Sequence, residues 1–142
     1  MQFNNILVIC VGNICRSPMA EALLKQAYPN LDIQSAGIMG LTNSPADEKA
    51  QVCMQKLGIC LNSHRARRLE TAMIKSADLI LVMSQKQKQH LEVTWPFSRG
   101  KVFRLGHWRS IDVVDPYQRD QHFFDGICQQ IQICVDDWKQ HI

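Results

Sequence analysis

The sequence predicts an α/β domain built on a parallel sheet, and two observations carry that prediction. Apolar, β-prone runs alternate along the chain with segments whose apolar residues recur at helical spacing. Two of those runs, Ile6–Val11 and Leu79–Met83, are apolar throughout rather than at every second position, as strands buried on both faces require. The length of 142 residues suits a single domain spanning 1–142. A composition of 46% hydrophobic and 20% charged residues excludes a disordered chain.

The elements follow in order. Ile6 to Val11 is the first strand and ends at the turn signal Gly12-Asn13. Ser17-Pro18 reads as a helix N-cap followed by proline at the first helical position, and Met19, Ala22, Leu23 and Ala27 keep helical spacing up to Pro29. Leu31 to Ala36 is the second strand, stopped by Gly37. Ser44, with Asp47 three positions on, reads as the cap of a helix that buries Ala46, Ala50, Cys53, Met54 and Leu57 and stops at Gly58. Leu79 to Met83 is the third strand, followed by a polar helical stretch from Ser84 to Leu91, and Lys101 to Leu105 is a weaker fourth strand. A closing helix carries Phe124, Ile127, Cys128, Ile131, Cys134, Val135 and Trp138 on one stripe. In such sheets ligands bind beyond the carboxyl ends of the strands, which makes the loop after the first strand the leading candidate site.

Charge and cysteine usage narrow the function classes. Sixteen Lys and Arg against thirteen Asp and Glu leave +3, too little for a dedicated nucleic-acid binder and suited to an anionic substrate. The basic residues are not interleaved with aromatic stacking platforms, which also argues against nucleic acid. Met1-Gln2-Phe3-Asn4-Asn5 carries no positive side chain, and Ile6–Val11 is too short for a membrane span, so a cytoplasmic protein with no membrane insertion and reduced thiols is expected. There is no CxxC pair or HExxH motif, and His64, His90, His107, His122 and His141 are scattered, so no metal and no cofactor are expected.

The loop reads Cys10-Val11-Gly12-Asn13-Ile14-Cys15-Arg16-Ser17-Pro18. It joins a buried strand to a helix N-terminus, where unpaired N–H groups and the positive end of the dipole favour an anion. Gly12 and Asn13 tolerate positive φ, so successive N–H groups can converge. Arg16 supplies a planar fork that binds phosphate bidentately. Cys10 begins the loop inside this positive field, where a thiolate is stabilised. A lone cysteine at a strand end is usually a small buried hydrophobe. The spacing C-x5-R ending in Ser-Pro at a strand-to-helix turn reverses that reading. Walker A is excluded because no Gly-Lys-Ser/Thr follows, and the dinucleotide fingerprint because its second and third glycines are missing.

The stretch Ile9 to Pro18, at the N-terminus, together with the distant Asp115-Pro116-Tyr117, resembles the low-molecular-weight protein tyrosine phosphatases over essentially the whole chain. Asn4-Asn5-Ile6-Leu7-Val8, Gly100-Lys101-Val102 and Gly106-His107-Trp108 are similar to the Wzb-like bacterial branch. That resemblance implies one three-layer, flavodoxin-like domain of the phosphotyrosine phosphatase I type, with a central four-stranded parallel sheet. It also implies hydrolysis of protein phosphotyrosine through a cysteinyl-phosphate. The expected partner is a tyrosine-phosphorylated protein, a bacterial tyrosine autokinase of capsule or exopolysaccharide export, and a monomer is expected.

By the same resemblance Cys10 is the nucleophile, and Arg16 with the N–H groups from Val11 through Gly12, Asn13, Ile14 and Cys15 to Arg16 holds the phosphoryl oxygens. Ser17 is either a donor to the sulfur or a plain N-cap. Asp115 is the general acid, presented on a loop by Pro116, with Asp112 and Asp120 as nearby rivals that precede no proline. Asn13, Ser35 and His64 match a network beneath the loop; without the resemblance His64 is an ordinary surface histidine, and Arg65, Arg67 and Arg68 a solvated basic face. Leu41 and Tyr117 are candidate cleft walls. Cys15 is either loop filler or a redox partner that captures oxidised Cys10 as a disulfide. A thioredoxin-coupled arsenate reductase is the enzymatic alternative, but Leu79 to Leu91 lacks the resolving cysteines it needs. A non-catalytic phosphotyrosine-binding module would not need both Cys10 and Asp115.

Overall fold

The computed structural model describes residues 3–142; Met1 and Gln2, read above as part of an N-terminus without a basic region, lie outside them. The chain runs β1 (Asn5–Cys10), α1 (Arg16–Ala27), β2 (Asp32–Gly37), α2 (Glu48–Gln55), α3 (Thr71–Ser76), β3 (Leu79–Val82), α4 (Gln85–Thr94), β4 (Val102–Arg104) and α5 (Gln121–Trp138). The four strands pair in the order β2-β1-β3-β4, every pair parallel. The chain crosses from one side of β1 to the other between β2 and β3, so the crevice of this sheet opens at the carboxyl end of β1.

The alternation of side chains along the strands makes three layers. Ile6, Val8, Cys10, Leu79 and Leu81 pack with Met19, Leu24, Phe124 and Ile131 of α1 and α5. Leu7, Ile9, Ile80 and Val82 pack on the other face with Ile74 of α3 and Leu91 of α4. Each fully buried Ile or Leu contributes about 1.5–3 kcal/mol by leaving water. Both faces of β1 and β3 are covered, which is why those strands are apolar without alternation. The α5 stripe is buried at all seven positions expected of it.

Several local expectations are corrected. Helix α1 starts at Arg16 with Cys15 at its N-cap and no side-chain cap bond, so Ser17 is not the cap and Pro18 is not the first helical residue. Asp47, not Ser44, caps α2, accepting from the N–H of Lys49. Leu57 lies beyond the end of α2 and is exposed, because the helix stops at Gln55. Helix α3 has one buried residue, Ile74, and is too short to show a periodicity. All six cysteines are free: Cys53, Cys128 and Cys134 are buried, and Cys60 is exposed. Cys53 donates to Asp125 (3.1 Å), and burial, reinforced by that bond, pushes its thiol up to about 12.

Two connections position the site. Beyond β2, Gly37 exchanges backbone bonds with the stretch after α2: its N–H donates to Arg67 (2.8 Å) and its carbonyl accepts from Leu69 (2.8 Å). Beyond β4, Leu105 and Val113 donate to the carbonyls of Val82 and Met83, so the chain is tied to the end of β3 before it reaches Asp115. Trp138 of α5 steadies this segment by donating Nε1–H to the Leu105 carbonyl (2.8 Å).

Gly37 is where the fold excludes a side chain. A Cβ there would lie 2.5 Å from the Val11 carbonyl oxygen and 2.9 Å from the Asn13 nitrogen, whereas one on Gly12 would meet nothing nearer than 3.7 Å. Gly37→Ala is therefore expected to cost about 1–3 kcal/mol in urea unfolding, and Gly12→Ala less than about 0.5 kcal/mol. Equal costs would show that the loop does not rest on Gly37.

Candidate active site

The loop from Cys10 to Arg16 is shaped by where its carbonyls go. Those of Cys10, Val11 and Gly12 accept from the N–H groups of Ile38 (3.0 Å), Met39 (2.9 Å) and Leu41 (3.1 Å). The Asn13 carbonyl lies 2.7 Å from His64 Nε2, and those of Ile14 and Cys15 accept from the N–H groups of Asp47 (2.8 Å) and Met19 (3.4 Å). Six successive oxygens are thus bonded away from the cleft. Among the described residues, the N–H groups from Val11 to Arg16 donate to no protein acceptor. With α1 uncapped behind them, they form a concave set of donors at the positive end of a helix.

Asn13 holds this shape. It is fully buried with φ +59°, a left-handed conformation that asparagine tolerates better than most residues. Gly12, read above as another residue turned to positive φ, is not one; the turn is made at Asn13 alone. The Asn13 amide donates to Ser17 Oγ (2.8 Å) and Ser35 Oγ (2.9 Å), and its oxygen accepts from the N–H of Arg67 (2.9 Å). The Ser35 hydroxyl in turn donates to Glu21 Oε1. Ser17 Oγ accepts from Asn13 and lies 2.9 Å from Cys10 Sγ, where it can donate to a thiolate or accept from a thiol. Parallel pairing of β1 with β2 sets Val8 opposite Ser35 and so places that hydroxyl beneath the loop.

Arg16 is buried, with 5% of its side chain exposed. Its Nη1 donates to the Val113 carbonyl (2.8 Å), its Nη2 lies 3.6 Å from Asp115 Oδ2, and its Nε–H has no partner. An unpaired buried guanidinium nitrogen beside free N–H groups calls for an anion. Asp115 is half exposed at the rim, and its Oδ1 accepts from the N–H of Tyr117 (3.1 Å), while Pro116 is buried and pins the turn. The rival carboxylates are used elsewhere: Asp112 accepts from Gln85 N–H and Arg104, and Asp120 caps α5.

These groups surround a cavity of about 290 Å³ lined by Cys10 to Gly12, Ile14 to Arg16, Met39, Leu41, Asp115 and Tyr117. Cys10 is at its floor, and Met39, Leu41 and Tyr117 are exposed at its rim. Cys15 is buried, and desolvation, with Asp47 and Cys10 adding to it, drives its thiol strongly up, so it stays protonated at neutral pH.

The structure brings together Cys10, Arg16, Asp115, Asn13, Ser17, Ser35 and His64, all named from the sequence. It adds Glu21, the Arg67 backbone N–H and the Val113 carbonyl, which were not. Arg67 is not part of a solvated face: it is half-buried and its guanidinium donates to the Ser35 carbonyl. Glu21 carried one signal, standing four residues after Ser17 on the same helix face. A backbone carbonyl or N–H carries none.

A thiol at the floor of an anion cradle, with a guanidinium beside it and a carboxylate above, belongs to the class of cysteine-dependent phosphatases. Residues 5–142 match the model of the low molecular weight phosphotyrosine protein phosphatases, and the chain belongs to that family. It is 61% identical over 142 residues to the low molecular weight protein-tyrosine-phosphatase Ptp of Acinetobacter johnsonii, with both chains covered completely. Its fold is similar to that of the tyrosine phosphatase Wzb from Escherichia coli K30, solved in complex with sulphate (TM-score 0.94, 37% identity, 99% of each chain). It is also similar to Vibrio vulnificus Wzb in complex with benzylphosphonate (TM-score 0.95, 34% identity, 99% of this chain and 100% of that one). The protein is a cysteine-dependent protein-tyrosine-phosphatase.

Asn13→Ala strands the Arg67 N–H and puts alanine in a left-handed conformation, for an expected cost of roughly 3 kcal/mol in chemical denaturation. Asn13→Gly loses the same bonds without the strain and is expected to cost about 1 kcal/mol less. Two variants of equal stability would show that φ at this position stores no strain.

Proposed function

We propose that the enzyme hydrolyses protein phosphotyrosine in two steps through a cysteinyl-phosphate on Cys10. In the first step Cys10 Sγ attacks phosphorus in line with the phenolic oxygen. The N–H groups from Val11 to Arg16 and the Arg16 guanidinium hold the three equatorial oxygens, whose charge grows more diffuse in the transition state. Tyrosine leaves poorly as a phenolate because the parent phenol has a pKa of ~10, and Asp115 protonates it as it departs. In the second step the Asp115 carboxylate takes a proton from water as that water attacks phosphorus. The thiolate is expelled towards the Ser17 hydroxyl.

The observation that carries this reading is the set of free N–H groups centred on Cys10, with Ser17 Oγ 2.9 Å from its sulfur. Leu41 and Tyr117 supply apolar walls for the ring, and Val11, Gly12, Ile14 and Cys15 the phosphate-facing backbone. The sulphate bound by one Wzb structure resembles the phosphoryl group of such a substrate, and the benzylphosphonate bound by the other resembles the phosphoryl group joined to its ring. The resemblance to the Wzb-like branch supports a physiological substrate: an autophosphorylated tyrosine kinase of capsule or exopolysaccharide export, met in the cytoplasm by a monomeric phosphatase. The protonated state of Cys15 favours loop filler over rapid capture of an oxidised Cys10.

Cys10→Ser is expected to lower turnover of p-nitrophenyl phosphate by at least about 10⁴-fold while phosphate still binds. Rapid quench of the wild type should trap phosphate on Cys10, and a variant that keeps its activity would sink the mechanism. Asp115→Asn should slow phenyl phosphate by about 10²–10⁴-fold and p-nitrophenyl phosphate far less, because nitrophenolate needs little protonation. Equal losses on both substrates would move the acid to another group.

A further inference from the structure

A second cavity of about 380 Å³ lies behind the catalytic loop. Its lining includes Lys25, Arg65 and Arg67, with Glu21 as the one carboxylate among them. That carboxylate is already engaged: it accepts from Ser35 Oγ and pairs with Lys25 at 2.7 Å. Arg65 and Arg67 have no carboxylate partner among the described residues. Arg65 Nη1 donates only to the carbonyls of Asn62 (3.1 Å) and His64 (2.7 Å). The Arg67 guanidinium donates only to the Ser35 carbonyl and to Gln34 Oε1 (2.9 Å). Arg65 Nε and Nη2 and Arg67 Nη1 therefore remain as charged donors on one concave surface.

The same lining holds the catalytic loop from behind. Ser35 Oγ accepts from the Asn13 amide, and His64 Nε2 lies 2.7 Å from the Asn13 carbonyl. The Arg67 backbone N–H donates to Asn13 Oδ1. Each contact of Asn13 other than that with Ser17 therefore runs through a residue of this cavity. A ligand that moves the Arg67 backbone or the His64 ring would therefore act on the residue whose left-handed turn shapes the loop.

We propose that this cavity is an effector site for a compact dianion, a dicarboxylate or a phosphate monoester, held by Arg65 and Arg67 and coupled to the catalytic loop through Asn13. The free Nε–Nη2 edge of Arg65 and the free Nη1 of Arg67 suit a planar or tetrahedral oxyanion. The volume admits a small metabolite. Coupling requires only that the ligand bind differently to two arrangements of the loop support.

The test uses the full chain with its catalytic cleft saturated by benzylphosphonate, titrated calorimetrically with sodium succinate in one arm and glycerol 2-phosphate in the other. At least one probe should bind saturably, and Arg65→Glu should weaken it by more than about tenfold, the loss of one charge-assisted bond. Succinate alone would assign a carboxylate ligand, and glycerol 2-phosphate alone a phosphate ester. The bound probe should shift the Asn13 and Ser35 amide resonances and change kcat for p-nitrophenyl phosphate in the wild type but not in Arg65→Glu. Absence of saturable binding by both probes, binding indifferent to Arg65→Glu, or binding that moves neither Asn13 nor kcat would overturn the proposal. Only the kcat readout rests on the phosphatase reading, and turnover without probe tests that reading separately.

Discussion

Everything at this site depends on six carbonyl oxygens, from Cys10 to Cys15, being bonded away from the cleft. A peptide unit that turns its oxygen outward turns its N–H inward, so the anion cradle is made by the partners that draw the oxygens away. Five of the six partners come from far along the chain: the Ile38–Leu41 stretch after β2, Asp47 at the cap of α2, and His64; the sixth, Met19, is a turn of α1 away. An anion site of this kind needs no charged side chain to exist, and Arg16 adds strength and direction to a cradle the backbone has already made.

Positive electrostatics are concentrated by leaving groups unsatisfied. Helix α1 has no side-chain cap, although a serine stands in its first turn. That serine, Ser17, is turned back to the Cys10 sulfur by the Asn13 amide. Capping would relieve the free N–H groups and weaken the field that favours an anion, so local helix stability is given up at the mouth of the cradle. Arg16 shows the same pattern. Its Nη1 is fixed by the Val113 carbonyl while its Nε–H is left without a partner. The carboxylate near its Nη2, Asp115, stands on a turn pinned by buried Pro116, which keeps it at the rim of the cleft and half in water.

Much of the fold could be read directly from the residues. The central strands β1 and β3 are apolar runs and α5 carries a stripe of seven apolar residues, because burial on two faces removes alternation and burial on one leaves a periodic mark. The misreadings were local. Ser17 and Ser44 have the chemistry of a cap, and Pro18 that of a first helical residue, but in the folded chain Ser17 answers to a sulfur, and Asp47 takes the cap of α2. Gly12 has the conformational freedom a tight loop could use, yet the turn is made by Asn13 and the close approach falls on Gly37, which looked only like a strand stop. Arg67 looked like surface charge because its anchoring bonds run from a backbone N–H and to a backbone carbonyl, groups every residue carries.

Apart from α3, the order of strands and helices was set by the sequence, as were the spacing of Cys10 and Arg16 at a strand-to-helix turn and the family to which that turn and Asp115-Pro116-Tyr117 point. Those features are local, and spacing of a few residues is preserved in any fold that keeps the turn. Only the tertiary structure decided which carboxylate reaches Arg16, why Asp112 and Asp120 do not, and how Ser35, His64 and Arg67 meet at Asn13. These are contacts between residues 22 to 99 positions apart. They exist because parallel pairing sets β2 beside β1, and because the chain after β4 is tied to the end of β3.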